Sequence, residues 1–131
     1  MENLKQRAVQ AAERFLRCRG YDVVDAGWES PAGGIDLVAR DGGALVFVEV
    51  AVRDGASGGF PPSRNEGEQR ARREGAAIAY LAERGADEGP VRFDDVALVV
   101  LAPDRALVRH HINSLSASEE PLGEEALTGV A

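Results

Sequence analysis

A hairpin is the strongest structural signal in this chain. Two apolar segments, IDLVAR at residues 35–40 and ALVFVEVAVR at residues 44–53, lie on either side of Asp-Gly-Gly. An Asp-Gly pair between such segments favours a tight turn, because both residues tolerate the positive φ angles that tight turns require. The pattern predicts two antiparallel strands, and the second carries one carboxylate, Glu49, inside an otherwise apolar run.

The alternation of side chains along a strand decides where Glu49 points. Glu49, Ala51 and Arg53 share one face of the second strand. If the turn contains two or four residues, paired positions sum to an odd number, and Asp36 then lies on that same face. Asp36 would be opposite Glu49 or one diagonal step away. The hairpin thus predicts two carboxylates a few ångströms apart.

Two carboxylates at this distance are unfavourable, because like charges repel and each buried charge loses hydration. A divalent cation removes both costs, and Mg²⁺ commonly binds one or two carboxylates while water and substrate phosphate complete its shell. Such an ion can activate water for attack on a phosphodiester. The residues alone leave a second interpretation open, in which Glu49 pairs with Arg53 or Arg40 at a sheet edge.

The rest of the chain alternates between helical and extended patterns. Apolar residues at helical spacing, followed by a glycine, predict helices over residues 4–19 and 64–84. Extended patterns predict strands over residues 21–29, 35–40, 44–52, 91–102 and 106–112. This order predicts one α/β domain over residues 1–115, with a mixed sheet of about five strands flanked by helices.

Charge is distributed unevenly along the chain. A formal net charge of −7 argues against indiscriminate attraction to nucleic acid or to anionic membranes. Residues 116–131 contain four acids and no base, so removing them changes the charge from −7 to −3, and we expect an acidic, disordered or loosely docked tail there. The absence of a bilayer-length apolar run predicts a cytoplasmic protein, and the single cysteine excludes an internal disulfide.

The hairpin and its flanks resemble a known family. The run GGIDLVARDGGALVFVEVAVR, preceded by FLRCRGY and followed by VRFDDVALVV and HHINSL, resembles the YraN-like family of small bacterial proteins. That family has a restriction-endonuclease-like fold, similar to archaeal Holliday junction resolvases. The resemblance extends over about residues 4–115 and implies a three-layer α/β core in the order helix, three strands, helix, two strands.

The resemblance also implies a chemistry, because the family's hairpin is a form of the PD-(D/E)xK nuclease signature. Asp36 and Glu49 match its catalytic metal ligands, and the metal implied is Mg²⁺ or Mn²⁺. Other positions depart from the pattern: the catalytic lysine, the glutamate before Ile-Asp and the Gly-Glu pair of the first helix fall on Ala51, Gly34 and Ala8-Val9. These departures put catalysis in doubt.

Few residues could replace the missing lysine and acids. Lys5, in the first helix, is the sole lysine of the chain, so a displaced lysine would have to come from there. Arg53 shares the face of Ala51 and is a candidate charge stabiliser, although it lies about 6–7 Å further along the strand. Glu13 follows Val9 by one helical turn and could supply a migrated acid.

Basic residues that could bind nucleic acid gather after the hairpin, at Arg53, Arg64, Arg70, Arg72 and Arg73. The planar fork of arginine suits paired contacts to phosphate oxygens. Glutamates are interleaved with these arginines, and a mixed-charge helix can equally be a solvated face. Taken with the resemblance, the cluster favours nucleic acid as the partner, with DNA favoured over RNA.

Other polar residues receive no catalytic role from the sequence. His110 and His111 are adjacent in a strand and point to opposite faces, so they cannot chelate one ion together. Asp94 and Asp95 begin a strand and are assigned no chemistry.

The leading hypothesis is a nucleic-acid-binding protein of the PD-(D/E)xK nuclease-like superfamily whose endonuclease activity is weakened or lost. One alternative is a pseudo-nuclease that acts as a protein-interaction scaffold and could form a homodimer. Another is an active metal-dependent endonuclease with rearranged catalytic residues. No membrane partner is expected.

Overall fold

The chain alternates helices and strands as the sequence predicts. A computed structural model describes residues 3–55, 58–62, 67–85, 89–113 and 124–128. Within these residues the elements are α1 (Leu4–Cys18), β1 (Asp22–Ser30), β2 (Gly33–Asp41), β3 (Ala44–Asp54), α2 (Gly67–Arg84), β4 (Val91–Ala102), β5 (Arg105–His111) and β6 (Glu124–Thr128). Neither helix of this described part is long and apolar enough to cross a membrane.

One mixed sheet forms the middle layer of the fold. Its strands follow chain order from β1 to β6; β3 and β4 are parallel, whereas the other neighbours are antiparallel. The parallel pair requires a crossover connection, which contains α2. α1 packs on one face of the sheet and α2 on the other. This arrangement confirms the predicted three-layer α/β core with a mixed sheet flanked by helices, as expected for the restriction-endonuclease-like fold that the resemblance implies.

The sixth strand differs from the predicted tail. The sequence predicts that residues 116–131 lie outside the domain, yet within that segment Glu124–Thr128 pairs antiparallel with β5. Strand addition bonds backbone to backbone, so an edge such as that of β5 can accept a segment with little apolar content. The other residues of the predicted tail lie outside the described part of the chain.

α1 begins at a capping box that positions its first turn beside β3. The Asn3 side chain accepts a hydrogen bond from the Gln6 N–H at 2.7 Å, and the Gln6 side chain accepts one from the Asn3 N–H at 2.9 Å. Further along the helix, Ala8 and Ala12 are buried against the sheet. Lys5 lies in the capped turn, and its amine reaches the backbone of β3.

A buried ionic network ties β4 to β5 on the α1 face. Asp94 is fully buried and faces Arg92, whose Nε and Nη2 donate to its two carboxylate oxygens at 3.0 Å each. His110 is also fully buried, and its Nε2 bonds the same carboxylate at 2.8 Å. Burial acts to raise the pKa of Asp94, but the hydrogen bonds from His110, Arg92 and the Asn113 N–H outweigh it and lower that pKa.

We predict that Asp94→Ala lowers the free energy of unfolding by about 3 kcal/mol, because it removes the carboxylate that Arg92 shares with the fully buried His110. Among the described residues, the change leaves Arg92 with Asp41 alone as its ionic partner. The lowered pKa means that the contribution of Asp94 is present above its ordinary pKa of 3.8 and is lost as the pH falls through the lowered value. Urea denaturation from pH 7 to pH 3 measures both effects. Asp104→Ala, in the exposed β4–β5 turn, is the control and should change stability by less than about 0.5 kcal/mol. An equal loss in both variants would contradict the prediction.

Candidate functional site

The site lies where β2 and β3 separate. Asp41 pairs with Ala44, so the hairpin turn contains two residues and paired positions sum to an odd number, as predicted. The ladder between the strands ends at the Leu37–Val48 pair, although both strands continue beyond it. Asp36 and Glu49 are the next positions on the two strands. The hairpin therefore brings the two predicted carboxylates to the point of separation.

Asp36 and Lys5 compensate for the lost strand pairing at Val50. The Asp36 carboxylate accepts a hydrogen bond from the Val50 N–H at 2.8 Å. The Lys5 amine donates to the Val50 carbonyl and lies 3.1 Å from Oδ2 of Asp36. Both backbone groups of Val50 thus bond side chains, and the carboxylate of Asp36 is neutralised by an ammonium group.

Glu49 is neutralised from the opposite helix. β3 and β4 run parallel with Glu49 beside Asp95, and Arg73 of α2 reaches both carboxylates. Its Nε lies 3.4 Å from Glu49 Oε1, and its Nη1 lies 2.9 Å from Asp95 Oδ1. Three carboxylates therefore meet two cations at this end of the sheet.

Burial raises the pKa of the Glu49 carboxyl above its ordinary value. Arg73 opposes this rise, whereas the negative charges of Asp95 and Asp36 add to it, and Lys5 opposes it more weakly. A shifted carboxyl among charged neighbours is typical of functional sites. The residues around Glu49 therefore form the candidate site.

A polar cleft of about 280 Å³ opens at this point, between the two helices. Its lining combines bases and donors with acids, namely Lys5, Gln69, Arg72 and Arg73 with Glu29, Asp36 and Glu49, beside Gly27, Gly34 and Ile35. Gly34 is paired with Glu29 of β1, whose carboxylate oxygens lie 3.2 Å from where a Cβ at residue 34 would be. A neighbouring strand thus brings a carboxylate to the position where the family pattern has glutamate.

Another side chain of the chain lies near the missing lysine of the family pattern, but Glu13 does not replace the missing acid of the first helix. Ala51 lines an adjoining cavity of about 250 Å³, which Lys5 also lines, so the sole lysine of the chain does approach the place of the missing one. Glu13 bonds Arg17 at 2.6 Å on the exposed side of α1 and is absent from the lining of both cavities. Val9 packs against the core.

The predicted basic cluster is divided by the fold. Arg72 and Arg73 line the cleft, but the Arg73 side chain is only 8% exposed and contacts carboxylates rather than facing outward. Arg53 points elsewhere, since its Nη1 donates to the Gly58 carbonyl at 2.7 Å. Arg70 pairs with Glu74 within α2 at 3.4 Å. The remaining member, Arg64, lies outside the described residues.

Sequence reasoning missed the role of Asp95. Alternation along β4 could have separated it from Asp94, because Asp94 is in phase with the buried Val96 and Asp95 is not. No sequence signal, however, indicated that β3 and β4 pair with Glu49 beside Asp95. The prediction that His110 and His111 point to opposite faces is confirmed, since only His110 is fully buried.

The residues present do not fit the divalent cation that the family pattern implies. Oδ2 of Asp36 is already bonded by Lys5 and by the Val50 N–H, and Oε1 of Glu49 faces Arg73. Mg²⁺ and Mn²⁺ prefer a shell of oxygen ligands, whereas nitrogen cations face these carboxylates. Across the described ranges, no group of three or more His, Cys, Asp or Glu is arranged to hold a metal ion.

We predict that Glu49→Gln raises the urea midpoint of unfolding at pH 7, because glutamine avoids the cost of burying a charge. The pKa of Glu49 is raised in the folded chain, so ionisation favours the unfolded chain, and stability is lost as the pH rises from 4.5 through the raised value. The advantage of the variant should disappear below about pH 4, where glutamate is protonated in both states.

Glu13→Gln is the matched control, since Glu13 has a similar side-chain exposure of 29% against 32% and also faces one arginine. Its loss should lower stability by no more than about 0.5 kcal/mol. A lower midpoint for Glu49→Gln than for wild type at pH 7 would refute the prediction.

Comparison with known proteins agrees with the resemblance carried by the hairpin. Residues 9–98 match the model of "Uncharacterised protein family UPF0102". A UPF0102 protein of Beutenbergia cavernae is 40% identical over 101 residues, covering 77% of this chain and 86% of that protein. Relatives from Geobacter sulfurreducens and Symbiobacterium thermophilum are 33% and 41% identical, covering 82% and 75% of this chain and 84% and 82% of their own lengths. The chain therefore belongs to the UPF0102 family, which is the YraN-like family that its hairpin resembles.

Proposed function

We propose that this protein binds the sugar-phosphate backbone of nucleic acid, DNA in preference to RNA, in the cleft at the strand separation. The proposal includes its place in the PD-(D/E)xK nuclease-like superfamily, with endonuclease activity weakened or lost, and a cytoplasmic location. One observation carries it: Lys5 of α1 and Arg72 of α2, from opposite faces of the sheet, line a single polar cleft of about 280 Å³.

The donors of this cleft suit a phosphate group. A lysine ammonium acts as a point charge, and an arginine fork can bind two phosphate oxygens together. Gln69 adds a neutral amide on the same wall of the cleft as Arg72. The acids of the lining balance these charges, so binding would depend on local contacts, in keeping with the overall charge of −7.

Hydrolysis is the part of the ancestral function that this site supports least. The position of the motif lysine is Ala51, and a methyl group supplies neither a proton donor nor a charge. Lys5 lies near this position but bonds Asp36 and Val50. The two motif carboxylates are already neutralised by side chains. Binding without efficient cleavage is therefore the function that the geometry favours.

We expect salt-dependent binding to branched or duplex DNA, and weaker binding by Arg72→Ala. Loss of one phosphate contact should reduce the slope of log K against log salt by about 1 across all sequences tested. Fluorescence anisotropy at several salt concentrations, with branched, duplex and single-stranded substrates, measures both quantities. Arg17→Ala is the matched control, because Arg17 is exposed on α1 and bonds Glu13 outside the cleft.

Three results would contradict this proposal. Absence of salt-sensitive binding would favour the protein-interaction scaffold instead. Cleavage of DNA by wild type with Mg²⁺ or Mn²⁺, abolished in Asp36→Ala, would instead favour an active endonuclease with rearranged residues. An equal loss of binding in Arg17→Ala and Arg72→Ala would place the binding surface outside the cleft.

A further inference from the structure

The guanidinium group of Arg73, on α2, is fixed by contacts with β3 and β4. Each of its three guanidinium nitrogens has a partner: Nε faces Glu49 at 3.4 Å, Nη1 faces Asp95 at 2.9 Å, and Nη2 donates to the Asp94 carbonyl at 3.1 Å. The guanidinium also lies 5.7 Å from the centre of the Phe93 ring. Only 8% of the side chain is exposed, so these contacts define its position.

The parallel register creates the need for this cation. Glu49 and Asp95 are adjacent across β3 and β4, and their side chains are 32% and 13% exposed. Two partly buried carboxylates side by side repel each other and lose hydration, so they require a positive charge between them. Guanidinium supplies a charge that does not depend on pH in any ordinary range.

A tethered cation also excludes a competing one. Because Arg73 is part of the chain, its effective concentration at the carboxylates is high and does not depend on the ions in solution. A divalent ion would have to displace the guanidinium from both carboxylates, or share them with it at the cost of like-charge repulsion. Either route weakens metal binding.

The alanine at position 51 fits a site whose carboxylates are already paired with Lys5 and Arg73. Its cavity is also lined by Lys5, Glu49 and Asp95 and bordered by Pro61. Lys5 already neutralises Asp36, and a lysine at position 51 would place a second ammonium group in a cavity that Lys5 lines. The methyl side chain avoids repulsion between two neighbouring ammonium groups.

We propose that Arg73 is a built-in counter-ion between Glu49 and Asp95 that takes the place of the divalent metal implied by the family pattern, so that the site holds its charges without any metal ion. This inference concerns the charges of the folded protein and stands whether or not nucleic acid binds. Its test contains no nucleic acid, so it can fail independently of the proposed function.

The test is titration with Mn²⁺, followed by the loss of the free-ion signal in electron paramagnetic resonance. Wild type should show no saturable site at millimolar Mn²⁺, whereas Arg73→Met should bind at least about tenfold more tightly, a difference of about 1.4 kcal/mol. Mn²⁺ should also raise the thermal midpoint of Arg73→Met but not that of wild type, since a ligand stabilises the state that binds it. The double variant Arg73→Met with Glu49→Gln should lose the new site.

Two further variants act as controls. Arg72→Met removes a neighbouring arginine of the cleft that does not bridge Glu49 and Asp95, so it should bind Mn²⁺ as weakly as wild type. Arg73→Lys keeps a cation and the apolar stem, and it too should bind weakly. Tight binding by wild type or by Arg73→Lys overturns the proposal, even if Arg73→Met does not fold. Equal affinity of Arg73→Met and wild type overturns it as well.

Discussion

The separation of β2 from β3 beyond the Leu37–Val48 pair determines where charged side chains bond the backbone of this sheet. Strand backbone that loses its partner needs new hydrogen bonds, because a buried N–H or carbonyl left unbonded is costly. Asp36 bonds the Val50 N–H and Lys5 bonds the carbonyl, so two side chains of opposite charge complete the strand. The Asp36 carboxylate therefore completes the hydrogen bonding of the sheet and also lines the cleft. The capped first turn of α1 places Lys5, its counter-charge, within reach.

Two adjacent aspartates on β4 lie on opposite faces of the sheet, one in a buried ionic network and one at the candidate site. Asp94 faces the α1 side, where Arg92 and His110 enclose it completely. Asp95 faces the other side, where Arg73 joins it to Glu49 beside the cleft. Each aspartate is matched to an arginine, but one pair is enclosed by the core and the other borders a cleft. Strand alternation alone directs these identical residues to the two environments.

Local patterns predicted more of this molecule than long-range pairings did. The elements from α1 to β5 and the parity of the hairpin follow from periodicity and one Asp-Gly turn, which act over a few residues. The contact of Lys5 with Asp36 depends on how α1 docks, and the meeting of Arg73 with Asp95 depends on a parallel register set by a long crossover. Neither has a local signal. β6 was not predicted because its pairing is backbone to backbone, which side-chain patterns do not reveal.

The bridge that Arg73 makes between Glu49 and Asp95 couples position 73 to position 51. A lysine at position 51, which the resemblance of the hairpin implies, would enter a cavity lined by the two carboxylates that the guanidinium already joins. Loss of Arg73 alone leaves two carboxylates without their shared partner. The effect of either change therefore depends on whether the other is present, so substitutions at positions 51 and 73 are expected to be non-additive.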